Sequence, residues 1–207
     1  MIAKTFYQPV KYEVQYYINQ QSSKTFIVGN EVDRANVEKD GEVPKNLLAN
    51  ILKVKRVEVL VPSDPNFSIV IPKIGANSRI IDNVNPANED EYLRALQQGV
   101  AHAQGTAFPG ENGHIFLFAH STDYIWNVGT YNAVFYLLYK LERGDEVNLF
   151  YQGKRHVYKV IEKEVVDPSQ VEYLTRKTDK EFLTLQTCWP PGTTLKRLMV
   201  FAVPVVK

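Results

Sequence analysis

Residues 145–166 read DEVNLFYQGKRHVYKVIEKEVV, two runs in which apolar and polar residues alternate, hinged on Gln152-Gly153-Lys154 and stopped by Asp167-Pro168. A side-chain period of two marks a strand with one buried face, and a short glycine-centred break between two such runs makes an antiparallel hairpin. Downstream of the hairpin, 182–188 and 195–203 are apolar runs on either side of the loop Trp189-Pro190-Pro191-Gly192. Upstream, 114–119 follows the turn residues Pro109, Gly110 and Gly113, 67–71 is closed by Pro72, and Val57, Val59 and Val61 alternate up to Pro62. Helical patterns are few. Residues 89–98 place Tyr92, Leu93 and Leu96 on one stripe that continues to Val100, and Val134, Phe135, Leu138 and Leu141 have helical spacing before Gly144. Leu47, Leu48, Ile51 and Leu52 predict a short amphipathic helix after Pro44. Strands and helices do not alternate regularly, which disfavours a doubly wound parallel sheet. The expected class is mainly β, a closed or nearly closed barrel with a few short helices.

The 207 residues suit one compact domain with an accessory segment. Residues 1–61 read as an N-terminal extension, with an aromatic and polar stretch at 12–18, a polar break at 20–23 and a charged loop at 33–42; residues 62–207 carry the barrel pattern. Lys53, Lys55 and Arg56 are a small basic cluster of the kind a solvated face carries. Twenty-four basic against 23 acidic side chains give a net charge of +1 and no electrostatic footprint for nucleic acid. The chain has one cysteine, so no intrachain disulfide and no zinc site built on several cysteines can form. No apolar run approaches the ~20 residues that span a bilayer. The longest, 198–206, is broken by Pro204, and residues 1–21 lack a signal peptide's apolar block. Repeats and low-complexity tracts are absent.

Cys188 ends an apolar strand and is followed at once by a Pro-Pro-Gly loop. A thiol held there is partly exposed and fixed in orientation, as a nucleophile requires, although it also needs a cation or base to favour the thiolate over its usual pKa of ~8.5. The competing reading is a small buried hydrophobe. His120 closes the run Ile115-Phe116-Leu117-Phe118-Ala119, at the exit of a buried strand, and is the candidate base. His102, His114 and His156 read as structural histidines. Arg197 opens the last strand, nine positions after Cys188, and reaches back towards the thiol if the two strands are neighbours. Its charge persists at any working pH and suits an oxyanion or a carbonyl. A plain surface arginine beside Lys196 is the alternative.

The segment Thr184-Leu185-Gln186-Thr187-Cys188 resembles the Thr-Leu-x-Thr-Cys signature of sortases, the cysteine transpeptidases of bacterial cell surfaces. Three further stretches are similar to that family: 69–74 with Pro72-Lys73-Ile74 in the first barrel strand, Gly105-Thr106-Ala107-Phe108-Pro109-Gly110, and Leu141-Glu142-Arg143-Gly144-Asp145-Glu146-Val147. The resemblance covers about 62–207. It implies a barrel of about eight strands in which His120, Cys188 and Arg197 converge, with Thr187 as a substrate contact. The implied reaction cleaves a sorting signal similar to Leu-Pro-x-Thr-Gly through a cysteine thioester and passes the acyl group to an amine of a cell-wall precursor or a pilin lysine. The implied partners are surface proteins bearing that signal. No metal or organic cofactor is required; calcium assists some members, but no carboxylate cluster for it can be mapped here. The implied location is the outer face of the bacterial membrane, with the family's usual N-terminal anchor absent from these residues through truncation or an atypical export route. Ala119 and Ser121 stand where many sortases have glycine and arginine, and Trp189-Pro190-Pro191 is unusual, so the subclass stays open. Ser63-Asp64-Pro65-Asn66-Phe67 reads as a turn started by Asp-Pro, ahead of a faint similarity to the lid of pilus-building sortases.

Two rival functions are weighed against this. A papain-type peptidase puts its cysteine on a helix start ahead of its histidine, whereas here the histidine comes first and the cysteine ends a strand. A catalytically silent surface barrel would carry an inert cysteine.

Overall fold

The computed structural model describes residues 13–14, 16–21, 25–29, 57–121 and 134–205. The helix expected at 47–52, the basic cluster Lys53, Lys55 and Arg56, and the charged loop at 33–42 lie outside the described residues. The chain divides into two units, Met1–Pro62 and Ser63–Lys207. In the first, β1 (Thr25–Val28) and β2 (Val57–Leu60) pair in parallel, Thr25 opposite Val57.

The second unit holds eight strands: β3 (Phe67–Ile71), β4 (Ala76–Val84), β5 (Val100–Ala103), β6 (His114–Phe118), β7 (Glu146–Tyr151), β8 (Lys154–Val166), β9 (Phe182–Trp189) and β10 (Lys196–Pro204). They close into a barrel in the order β10-β8-β7-β3-β4-β5-β6-β9. The hairpin expected at 145–166 is present. Gln152 and Gly153, at φ 49° and 74°, make its turn, and β7 pairs with β8 from Tyr151–Lys154 to Glu146–Lys159. Successive positive φ values match the twist of a two-residue hairpin loop.

Between β4 and β5 the chain forms helix α1 (Glu89–Gln98), which makes that strand pair parallel. Asn88 caps it by accepting the Glu91 N–H at 3.2 Å, and Glu89, Asp90 and Glu91 put negative charge at the positive end of its dipole. Gly99 follows because a Cβ there would lie 2.4 Å from the Arg79 carbonyl oxygen of β4. The second helix, α2 (Glu172–Thr175), is a single turn within the crossing from β8 to β9.

Two local expectations change, and the turn reading of Asp64-Pro65 is met. Residues 134–141 form turns and a 3-10 turn at Leu138–Lys140 rather than an α-helix. Pro72–Ile74 is a 3-10 turn after β3 rather than part of it, closed by Gly75 at φ 65°. The Asp64-Pro65 segment is an Asx turn, with the Asn66 N–H on the Asp64 carboxylate at 2.7 Å. It receives the Gln152 and Gly153 N–H groups at the hairpin tip, at the end of β8 remote from Arg197, which pairs with Val166. That position is unsuited to a lid over Cys188.

The parallel pair β6–β9 gives the barrel wall two faces. Ile115 with Leu183 and Leu117 with Leu185 belong to the fully buried core. On the opposite face lie His114 with Phe182, Phe116 with Thr184 and Phe118 with Gln186. Tyr92 of α1 packs edge-on to Phe118, while Tyr173 of α2 stacks on Phe201 and Arg176 lies 5.0–5.3 Å from the rings of Phe201, Phe182 and Tyr173. This helix-flanked face carries the candidate site.

Candidate active site

Cys188 stands near the end of β9, directly opposite Arg197 of β10. Opposed residues of an antiparallel pair project to the same face. On the other side of β9, the last β6 pair is Phe118–Gln186, and the Ala119 N–H continues the ladder to the Gln186 carbonyl at 3.1 Å. Two residues beyond that pair on each strand are His120 and Cys188. The fold therefore brings His120, Cys188 and Arg197 into one row across three adjacent strands, β6, β9 and β10. Val166 of β8, paired with Arg197, closes the row on its far side and is buried.

Cys188, His120 and Arg197 are all half-buried, and burial acts on the thiol and the imidazole. Burial pushes the Cys188 thiol above its ordinary value, with the Arg197 guanidinium pulling the other way. Burial also pushes His120 below the usual imidazole value. Both shifts favour the uncharged forms, thiol and neutral imidazole. Arg197 donates through Nη1 to the carbonyls of Thr194 and Lys196, each at 3.1 Å, which anchors the β9–β10 loop and leaves the other guanidinium donors uncommitted to those carbonyls.

Thr187 points to the face opposite Cys188. It is 3% exposed, and its hydroxyl donates to the Ala119 carbonyl at 2.9 Å. That bond ties the end of the strand leading to His120 to the strand that carries Cys188.

The other histidines lie elsewhere. His102 is fully buried, accepting the Asn83 N–H through Nδ1 at 3.4 Å and meeting the Ala107 carbonyl through Nε2 at 3.0 Å. His114 meets the Thr184 hydroxyl through Nε2 at 2.8 Å, and its ring also interacts with the Arg176 backbone. His156 packs beneath Gly110, whose Cβ position lies 2.8 Å from the ring. Among the described residues no group of three or more His, Cys, Asp and Glu side chains is arranged to hold a metal ion, and no helix is long and apolar enough to cross a membrane.

A residue that the sequence does not single out is Gln186, one row from Cys188 on the same face, between Phe118 and Met199. Only its strand register places it there.

Residues 69–205 match the family model of the Sortase domain. The chain belongs to the sortase family. Sortase D of Bacillus subtilis (strain 168) is 28% identical over 134 residues, which cover 63% of this chain and 59% of that protein, so the match spans less than two thirds of the relative's length. The crystal structure of sortase C-1 from Actinomyces oris aligns at a TM-score of 0.57 with 30% identity, over 70% of this chain and 76% of that one. A lid mutant of sortase A from Corynebacterium diphtheriae aligns at 0.55 with 27% identity, over 70% of this chain and 72% of that one. The closed eight-stranded barrel of this sortase matches the fold of these neighbours.

Proposed function

We propose that this sortase is a cysteine transpeptidase that cleaves a sorting signal similar to Leu-Pro-x-Thr-Gly and transfers the acyl half to an amine. The observation that carries the reading is the His120–Cys188–Arg197 row. The Cys188 thiolate attacks the carbonyl carbon at the cleavage point, forming a C–S bond and moving the carbonyl electrons onto oxygen. Arg197 donates to that oxyanion. As the oxyanion collapses, the C–N bond breaks and protonated His120 gives its proton to the leaving amine, which departs with the C-terminal peptide. A thioester remains. A second amine, of a cell-wall precursor or a pilin lysine, then loses a proton to His120 as it attacks, and the C–S bond breaks to return the thiolate. Water in place of the amine gives hydrolysis. These steps use only the three side chains, with no metal or organic cofactor.

The catalytic unit in this reading is 62–207, with 1–61 as an extension. The partners are surface proteins carrying the signal and the amine acceptor, and the place of action is the outer face of a bacterial membrane.

The test is intact-protein mass spectrometry after incubation with a library of Leu-Pro-x-Thr-Gly-like peptides, with and without triglycine. A hydroxylamine-sensitive adduct on Cys188 and amine-dependent ligated product are expected. Cys188→Ala should abolish both, and His120→Ala nearly so. Arg197→Ala should lower turnover by about 10²–10³-fold, the loss typical of a removed oxyanion donor. An unreactive Cys188 with every peptide would leave a silent barrel as the better account.

A further inference from the structure

We propose that Gln186 selects a substrate residue within two positions of the scissile bond, favouring a hydrogen-bonding side chain (a carboxamide or a hydroxyl) over an aliphatic one. The inference rests on reading the His120–Cys188–Arg197 row as a peptide site. About 7 Å along the strands from that row, at two residues of strand rise, lies a second row on the same face. It consists of Phe118, Gln186, Met199 and Glu164. Phe118 and Met199 are buried, at 8% and 2% exposure. The Tyr173 hydroxyl donates to Glu164 Oε2 at 2.9 Å.

Gln186 is the exception in this row. Its backbone carbonyl is taken by the Ala119 N–H, but its half-buried carboxamide has no hydrogen-bond partner among the described residues. Among the described residues that amide is left to bond to water or to a ligand. A peptide stretched from Cys188 along this floor displaces the water between two apolar neighbours. A substrate side chain that cannot donate or accept strands the amide, whereas one with a matching donor and acceptor restores its bonds. Sites built on such a group discriminate more strongly than apolar pockets do, because the unmatched ligand leaves it unpaired.

The experiment measures equilibrium binding of fluorescent sorting-signal peptides to full-length protein carrying Cys188→Ala. Each peptide position within two residues of the scissile bond is varied among Gln, Ser, Leu and Lys. One position should favour Gln or Ser over Leu by about 10-fold, the factor for roughly one lost hydrogen bond. Adding Gln186→Leu should reverse the preference at that position alone. Gln186→Glu, of the same size, should favour Lys there, which a merely structural role would not produce. Identical preferences in all three proteins, or no binding of any peptide, would overturn the proposal. Thioester formation by protein with Cys188 intact is followed separately. A preference that moves with residue 186 in a protein forming no thioester would refute the transpeptidase reading and leave this inference standing.

Discussion

Cys188 and His120 are both half-buried, and the same desolvation acts on them in opposite directions. It raises the pKa of the acid that must lose a proton and lowers that of the base that must hold one. Turnover should therefore follow a bell in pH, with an acid limb below the usual imidazole pKa of ~6.5 and an alkaline limb above the usual thiol pKa of ~8.5. Between the limbs the fraction of active ion pair is small and nearly constant. Arg197 draws the thiol pKa down, so Arg197→Gln should move the alkaline limb to higher pH as well as lowering the maximum. A pH profile of kcat/KM for both proteins checks this, and an unmoved limb would mean that the guanidinium does not act on the thiol. Cys188, His120 and Arg197 were legible as candidates because each sits at one end, start or finish, of an apolar strand. Gln186 was not, since no pattern in a sequence tells a half-buried amide without a partner from one that has found one.

Among the elements, the parallel seam between β6 and β9 carries the site, and Thr187 fastens its end. Thr187→Val removes the bond to the Ala119 carbonyl at constant shape, costing on the order of 1 kcal/mol. It should lower kcat with little change in KM, because His120 loses its fixed approach to Cys188, and Thr187→Ser should restore most of the rate. Steady-state kinetics of the two variants decide it; equal KM and kcat effects would point to a general loss of packing. The β7–β8 hairpin offers a second test. Gln152 occupies a left-handed conformation, φ 49°, that costs a non-glycine residue about 1–2 kcal/mol and asparagine less. Gln152→Asn should raise the melting temperature, as thermal denaturation will show. This hairpin and α1 were readable because period and punctuation agreed in each. Strand β4 was not, although its burial alternates at Ala76, Ser78 and Ile80. Its outward residues and its Asp82-Asn83 stretch look like loop when read without their neighbours. Four-residue β5 is too short to show a period.

Across the whole barrel, three buried histidines bear on stability in acid. Burial lowers His102, His120 and His114, the last to about 4. The unfolded chain takes up the His114 proton near pH 6.5, but the folded chain does so only near pH 4. The contribution is thus fully present above 6.5, is lost as pH falls towards about 4, and changes no further below that. The gap corresponds to roughly 3 kcal/mol for His114 alone, which is 5% exposed. Denaturant unfolding at pH 7 and pH 4.5 should show a marked drop in the native protein and a much smaller one in His114→Asn. An equal drop in both would exclude His114 as the source.

The sequence by itself determined which residues alternate, where strands and α1 stop, and that Cys188, His120 and Arg197 stand at strand ends. These are local properties, written in side-chain period and in glycine, proline and asparagine. Only the tertiary structure decided that β6 lies parallel to β9, joining Ala119 to Thr187 across 68 residues, and that β10 sets Arg197 opposite Cys188. The same closure set Gln186 on the face that carries Cys188 and Thr187 on the other. Parallel pairing has no local turn to announce it. It is fixed when the barrel closes, because only that register buries Ile115, Leu117, Leu183 and Leu185 together.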